Sequence, residues 1–295
     1  MAAIVLDGRE AARAVTAEVR ETVERLGFSP QLVFVRAGDD PASASYVRLK
    51  AKLAQRAGVR SHTEVLDENV RQEDLMELVS RLNDDTDVDG ILVQLPLYPH
   101  LDSGPLLDAI DPSKDVDGFH PVNVGRLWSG QPGLFPATPT GLIRILDHFG
   151  ISIDGRRVVI VGRSNLVGKP AAALFLRRNA TVTIAHSRTG DLPDVTRGAD
   201  ILVAAAGRPR IITQEMVKPG ATVLDVGQTQ LEGKLRGDVD PQVAGVAGAL
   251  TPTPGGTGPM TVAMVIGNTL TAALQRRKTV ENRVESMARP RGEHG

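Results

Sequence analysis

Ser43, Tyr46 and Lys50 stand at i, i+3 and i+7 in the segment PASASYVRLKAK, so on a helix they share one face. A lysine turned inward beside a tyrosine is an unusual structural choice, because Lys is rarely buried without a purpose. Taken alone the spacing is modest evidence, since a helical lysine more often faces water. Gln94 closes the apolar run ILVQ. An amide at the end of a parallel strand stands at the sheet edge where ligands bind. Asp115 and Asp117 precede a glycine in KDVDGFHPVNVGRL. Acids so placed accept hydrogen bonds from a ligand or shape a turn.

A second group lies in VVIVGRSNLVGKP, residues 158–170. Gly162 and Gly168 are separated by five residues, not four, and Pro170 occupies the place where magnesium needs a hydroxyl, so this is not a P-loop. Ser164 replaces the second glycine of the G-x-G-x-x-G fingerprint. The physical parts of a phosphate site remain. Gly162 permits a tight turn, Ser164 can bond a phosphate, and Gly168 opens a helix whose N-terminus favours anions. The following strand TVTIA leads into His186-Ser187-Arg188-Thr189 without the carboxylate that usually accepts the ribose 2′-hydroxyl of NAD. A hydroxyl and an arginine there, with Arg163 from the first loop, suit a 2′-phosphate and point to NADP.

These residues need elements to hold them. Strands are expected over 31–36, 60–65, 90–94, 157–161, 181–185, 201–204 and 222–225. Helices are expected over 8–26, 43–57, 72–83, 140–149, 168–178 and from 260 to about 274. Their alternation implies right-handed β-α-β units and a mainly parallel sheet, an α/β fold. The pattern pauses between 111 and 140, where Gly, Pro, Asp and Asn dominate and a long irregular connection is expected. The polar tail from Gln275 is expected to fray. The 295 residues suffice for two domains. A net charge of -1 gives no bulk case for nucleic acid or an anionic membrane. The lack of cysteine excludes disulfides, Cys-ligated zinc and thiol catalysis, and no metal site is expected. With no signal peptide and no apolar stretch long enough to span a bilayer, the cytoplasm is the expected location.

YVRLK, VQLPL, KDVDGFHPVNVGRL, VGRSNLVGKP, GDVD and TPTPGGTGPMTVAM follow one another in order. Together they make the chain resemble the bifunctional methylenetetrahydrofolate dehydrogenase/methenyltetrahydrofolate cyclohydrolase family over almost its whole length. The resemblance implies a folate-binding catalytic domain over 1–139, completed by a helix at 260–278. It also implies a Rossmann-like NADP-binding domain over 140–259, a polar tail from 279 to 295, and a ligand cleft between the two domains. 5,10-Methylenetetrahydrofolate would give hydride to NADP, and the methenyl product would be opened by water to 10-formyltetrahydrofolate. Lys50 is then the general base, directly or through water. Gln94 orients it, Tyr46 stacks on the folate ring, Asp117 accepts from the pterin, and Ser43 helps to hold Lys50 or water.

Pro254, Gly255 and Gly256 would let backbone approach the ligands, while Gly162, Arg163, Ser164, Gly168, Ser187, Arg188 and Gln228 would hold the cofactor. A homodimer is expected, with tetrahydrofolate one-carbon derivatives as partners and neither nucleic acid nor membrane. The chain departs from the family pattern at Ala137, where a cysteine is usual, and at Gln228 and Thr229, where Ile-Asn is usual. Another two-domain NADP oxidoreductase and a non-catalytic NADP-binding protein are the competing readings, the first giving no reason for Gln94 with KDVDG.

Overall fold

The computed structural model describes residues 3–38, 40–231 and 233–288, without the side chains of 41, 42 and 280–288. In chain order it contains β1 (Ile4–Val5), α1 (Gly8–Leu26), β2 (Gln31–Ala37), α2 (Pro41–Arg56), β3 (Arg60–Leu66), α3 (Gln72–Asp84), β4 (Gly90–Val93), α4 (Ser103–Asp108), α5 (Pro121–Trp128) and α6 (Ala137–His148). There follow β5 (Arg157–Val161), α7 (Gly168–Arg177), β6 (Thr181–Ala185), α8 (Leu192–Arg197), β7 (Ile201–Ala204), β8 (Thr222–Asp225), β9 (Thr229–Leu231), β10 (Lys234–Arg236), β11 (Ala249–Leu250) and α9 (Thr257–Ala288). The chain divides into two compact units. The smaller comprises Val19–Val116 with the chain from Ile266 onward, and the larger comprises Met1–Glu18 with Asp117–Val265. The long helices α1 and α9 each contribute residues to both.

The smaller unit is built on a parallel sheet in the order β3-β2-β4. Its central strand reads QLVFVRA and is buried from Leu32 to Arg36, which is why it shows a continuous apolar run rather than alternation. Val33, Val35, Ile91 and Val93 form one face and pack on Leu75, Leu78, Val79 and Leu82 of α3 and Leu106 of α4. The C-terminal part of α9 belongs to this unit and is held by its basic residues. Arg277 lies 3.9 Å over the Phe28 ring and bonds Asp89 at 2.9 Å, and Arg276 donates to the Val88 carbonyl. Those contacts hold the helix past the end expected near 274, and it runs to Ala288 instead of fraying from Gln275. Residues 289–295 of the expected tail lie outside the described residues.

The larger unit carries a parallel sheet in the order β1-β11-β8-β7-β5-β6, with a small antiparallel β9–β10 hairpin beside it. The chain order reverses between β5 and β7, and ligands of open α/β sheets bind outside the carboxyl ends of the strands at such a reversal. Val159, Val161, Leu202, Ala204 and Val223 supply one buried face of this sheet. The segment expected to be one irregular connection contains α5. Pro121 fixes its first turn and the His120 ring accepts the Val122 amide at 3.1 Å, a capped start that the Gly and Pro content obscured. Similarly, α6 begins at Ala137 rather than 140, because Pro139 falls in the first turn where its missing N–H costs nothing.

Candidate active site

In the smaller unit, α2 starts at a side-chain cap: Asp40 accepts the Ser43 amide at 2.6 Å, with proline in the first turn. That start sets the phase of the helix, leaving Ser43 and Lys50 half-buried and the Tyr46 ring 47% exposed. Lys50 Nζ donates to Gln94 Oε1 at 2.9 Å. Gln94 lies one residue past β4, and its Nε2 donates to the Leu95 carbonyl at 2.6 Å. The second bond turns the amide so that its oxygen, and not its NH2, meets the lysine. A neutral acceptor is thereby fixed against an amine that has lone-pair chemistry to offer once deprotonated. Nearby, Gly38 (φ 71°) has no space for a side chain, since an added Cβ would lie 2.1 Å from the Tyr98 hydroxyl.

Sequence reasoning did not single out Lys114. Its side chain is 1% exposed, and Nζ donates to the carbonyls of Leu82, Asn83 and Asp85 at 2.8, 2.7 and 2.6 Å, closing the end of α3. Burial, helped by the Arg276 charge, lowers its pKa to about 8. Its own carbonyl accepts the Ile91 amide at 2.8 Å, and Asn268 donates to the Val116 carbonyl at 2.8 Å. The segment leading to Asp117 is thus tied to β4, the strand that precedes Gln94. Nothing in the local sequence distinguishes this lysine from a surface one. Asp115 is buried and bridges to Ile91.

Asp117 opens the larger unit and is half-buried, and its carbonyl accepts the Ala137 amide at 3.3 Å. Gly118 (φ 75°) presses on the chain before α6, where a Cβ would meet the Phe135 carbonyl carbon at 2.3 Å. The structure brings Lys50 and Gln94 together directly, while Asp117 belongs to the other unit.

At the carboxyl edge of the six-stranded sheet, Gly162 (φ 139°) leaves β5 where a Cβ would lie 2.1 Å from the Ala205 carbonyl oxygen. Gly168 is equally constrained, its added Cβ falling 2.2 Å from the Gly162 oxygen. Ser164 Oγ accepts the Val167 and Gly168 amides at 3.1 and 3.4 Å, and its carbonyl accepts the Lys169 amide at 3.1 Å. Three of the amides expected to face an anion are therefore bonded inside the loop. The Ser164 hydroxyl proton remains a donor, and Arg163 is exposed. Gly162 N bonds the Ala185 carbonyl at 2.8 Å, so the loops after β5 and β6 leave the sheet side by side. The second is a tight turn: Thr189 Oγ1 accepts the His186 amide at 2.9 Å and His186 Nδ1 accepts the Arg188 amide at 3.1 Å. Ser187 and Arg188 are exposed at its tip.

The remaining residues of interest lie after β8 and β11. Gln228 is exposed, with Nε2 2.9 Å from where Gly258 would carry a Cβ. Pro254 is exposed, whereas Gly255 and Gly256 are buried. The constraints that favour glycine here are internal: Gly255 has φ 113°, and a Cβ on Gly256 would meet the Pro252 carbonyl oxygen and the Thr251 Cβ, both at 2.7 Å. Sequence reasoning also passed over Asp225 and Asp238, buried at 3% and 0% exposure. Asp225 accepts four hydrogen bonds, from the Gly227, Asp238 and Val239 amides and the Thr253 hydroxyl. Burial nevertheless pushes it up to about 6, and burial also raises Asp238. The signal was present in an acid ending the apolar strand TVLD and another in GDVD.

Two units with parallel sheets define the class. One sets a glycine turn and two exposed cations at a strand reversal, and the other sets a lysine on an amide at a strand end, as in a two-domain α/β enzyme that works with a dinucleotide. Residues 6–117 match the model for the tetrahydrofolate dehydrogenase/cyclohydrolase catalytic domain, and residues 136–277 match that family's NAD(P)-binding domain. A bifunctional protein FolD of Thermus thermophilus is 59% identical over 94% of this chain and 98% of its own. The solved bifunctional FolD dehydrogenase/cyclohydrolase of Campylobacter jejuni superposes with a TM-score of 0.90 at 42% identity, covering 93% of this chain and 100% of that one. The Trypanosoma brucei dehydrogenase-cyclohydrolase, solved with NADP and an inhibitor, gives 0.87 at 40% identity over 94% and 99%. The chain belongs to the tetrahydrofolate dehydrogenase/cyclohydrolase family. Its activities are those of the family, dehydrogenation and cyclohydrolysis of tetrahydrofolate derivatives, with a nicotinamide dinucleotide as cofactor.

Proposed function

We propose that the protein oxidises 5,10-methylenetetrahydrofolate to 5,10-methenyltetrahydrofolate with NADP and then hydrolyses that product to 10-formyltetrahydrofolate. The observation that carries this reading is the 2.9 Å bond from Lys50 to the carbonyl oxygen of an amide whose other end is already engaged. In the hydrolytic step, water adds to the methenyl carbon. Lys50, as the neutral amine, takes the proton that water loses, directly or through a second water. The bond from that carbon to N5 then breaks and N5 receives a proton, leaving the formyl group on N10. Gln94 holds the amine without the negative charge that would stabilise its ammonium form. Tyr46 offers an exposed ring for stacking on the pterin, Asp117 accepts from the pterin amino and ring N–H groups, and Ser43 helps to hold Lys50 or its water.

Bound NADP supplies the hydride acceptor. The residues at the carboxyl edge of the larger sheet fit it: Gly162 and Gly168 let the turn close tightly without side chains, and the Ser164 hydroxyl donates to a phosphate. Arg163, Ser187 and Arg188 take the 2′-phosphate, and Gln228 contacts the cofactor through its backbone. Of the 254–256 stretch, Pro254 is the member at the surface, with Gly255 and Gly256 shaping the turn beneath it. The oxidation itself asks mainly for positioning, because the folate nitrogens stabilise the cation left by hydride departure. On the family resemblance, we place the protein in the cytoplasm as a homodimer, which cell fractionation and sedimentation test. No described helix is long and apolar enough to cross a membrane. The reaction is tested by incubating the enzyme with methylenetetrahydrofolate and NADP: NADPH and 10-formyltetrahydrofolate are expected in equal amounts by mass spectrometry. NADPH without formyl product, or neither, contradicts the proposal.

A further inference from the structure

The cations of the 2′-phosphate reading stand at the ends of β5 and β6, on one side of the strand reversal. A dinucleotide anchored there extends across the ends of β7 and β8, as dinucleotides do in open α/β sheets. Three loops leave that side of the edge, at 205–208 after β7, 226–228 after β8 and 251–256 after β11. Asp225 joins them. Its Oδ1 accepts the amides of Gly227 at 3.0 Å and Asp238 at 2.9 Å, and its Oδ2 accepts the amide of Val239 at 3.3 Å and the hydroxyl of Thr253 at 3.1 Å. Its own amide donates to Thr251 Oγ1 at 2.7 Å, and its carbonyl accepts from Thr257 Oγ1 at 3.2 Å. Asp238 extends the network to the loop after β7, where its Oδ2 accepts the amides of Ala206 at 2.6 Å and Gly207 at 2.8 Å. Space is reserved for both acids. A Cβ on Gly237 would lie 1.7 Å from Asp225 Oδ2, and one on Gly227 would lie 2.3 Å from Asp238 Oδ1.

A buried carboxylate whose four donors are all neutral is costly to keep, so its retention calls for a reason. We propose that Asp225 is a positioning residue of the dehydrogenase, its carboxylate holding the loops after β7, β8 and β11 in the arrangement that receives NADP for hydride transfer. This rests on the placement of the cofactor at the carboxyl edge of the larger unit. The two acids are not equivalent. Asp225 uses both oxygens as acceptors, so an amide there must turn its NH2 toward a donor. Asp238 accepts the Ala206 and Gly207 amides on Oδ2, and among the described residues its buried Oδ1 has no hydrogen-bond partner. An asparagine at 238 can therefore place its oxygen toward Ala206 and Gly207 with its NH2 at the position without a donor.

The experiment compares two activities of each purified full-length variant. One is dehydrogenase kcat/KM for NADP, and the other is hydrolysis of 5,10-methenyltetrahydrofolate measured without NADP. Asp225→Asn is expected to lower the ratio of dehydrogenase to cyclohydrolase efficiency by at least about tenfold, through a higher KM for NADP, as loss of charge-assisted hydrogen bonds implies. Asp238→Ala is expected to follow it, while Asp238→Asn stays within about threefold of the wild-type ratio because its acceptor survives. Thr253→Val, which removes one donor of the four, is expected to lower the ratio in the same direction by a smaller factor. A wild-type ratio in Asp225→Asn overturns the proposal. So does equal loss in Asp225→Asn and Asp238→Asn. If Asp225→Asn is insoluble, an unmoved ratio in both Asp238→Ala and Thr253→Val overturns it instead. Arg163→Ala runs alongside: if it too leaves the KM for NADP unmoved, the cofactor placement is what fails. If Arg163→Ala raises that KM and Asp225→Asn does not, only the role of Asp225 fails.

Discussion

Replacing Gln94 by glutamate changes almost nothing in shape and puts a negative charge 2.9 Å from Lys50 Nζ. At that distance the attraction for an ammonium is about 1.4 kcal/mol in bulk water and about 6 kcal/mol at an effective permittivity of 20. Both side chains are half-buried, so solvent screening keeps the effect toward the lower part of this range, about 1.5–3 kcal/mol. Each 1.36 kcal/mol is a factor of ten in protonation, so the neutral amine becomes about 10- to 150-fold scarcer at neutral pH. The assay is hydrolysis of 5,10-methenyltetrahydrofolate without NADP, followed by its absorbance between pH 6.5 and 9.5 at low salt and corrected for the uncatalysed rate. Gln94→Glu is expected to lose activity at pH 7 by that factor and to regain part of it as pH rises, because hydroxide restores the amine. A Gln94→Glu enzyme with the wild-type rate and an unchanged pH profile refutes the claim that Lys50 works as a neutral base held by a neutral amide.

Three further outcomes are expected. Arg163→Ala weakens NADP by about tenfold or more and NAD much less, since only NADP carries the phosphate that a guanidinium grips; equal loss for both cofactors in a binding titration counts against that contact. Lys114→Met lowers unfolding free energy in urea by about 2–4 kcal/mol, because three carbonyls lose a charged donor; a change under about 0.5 kcal/mol contradicts the anchoring role. Asp225, held up to about 6 in the fold, has a folded value above its unfolded one, so the protonated acid favours folding. That contribution is fully present below about pH 4 and is lost as pH rises through about 6, roughly 3 kcal/mol in all. The stability of the wild type minus that of Asp225→Asn should therefore fall between pH 4 and 7, and a flat difference contradicts it.

The strands at 157–161, 181–185, 201–204 and 222–225 were legible to the residue because β-branched runs bounded by turn residues have few other uses. The two-residue strands Ile4–Val5 and Ala249–Leu250 were not, since two residues carry no period and their pairing is set by the sheet they join. The persistence of α9 through Arg277 depends on Arg276 and Arg277 finding Val88 and Asp89, each 188 positions from its partner, and on Arg277 finding Phe28, earlier still, and no local pattern records that proximity. Within the site, helical spacing placed Ser43, Tyr46 and Lys50 on one face, but the partnership of Lys50 with Gln94 came from the resemblance and not from spacing. Lys114 was illegible, and Asp225 was marked only as an acid ending the run TVLD, for a common reason. Each is a charged residue whose role follows from burial and from backbone groups that converge on it only in three dimensions.

The central claim is that one enzyme performs both reactions and that Lys50 serves the second. A single measurement addresses it: Lys50→Met is mixed with methylenetetrahydrofolate and NADP, and NADPH and methenyltetrahydrofolate are followed together by absorbance. NADP is expected still to bind and methenyltetrahydrofolate to accumulate in step with NADPH, without 10-formyl product beyond the uncatalysed rate. Formation of 10-formyltetrahydrofolate at the wild-type rate in Lys50→Met would contradict it.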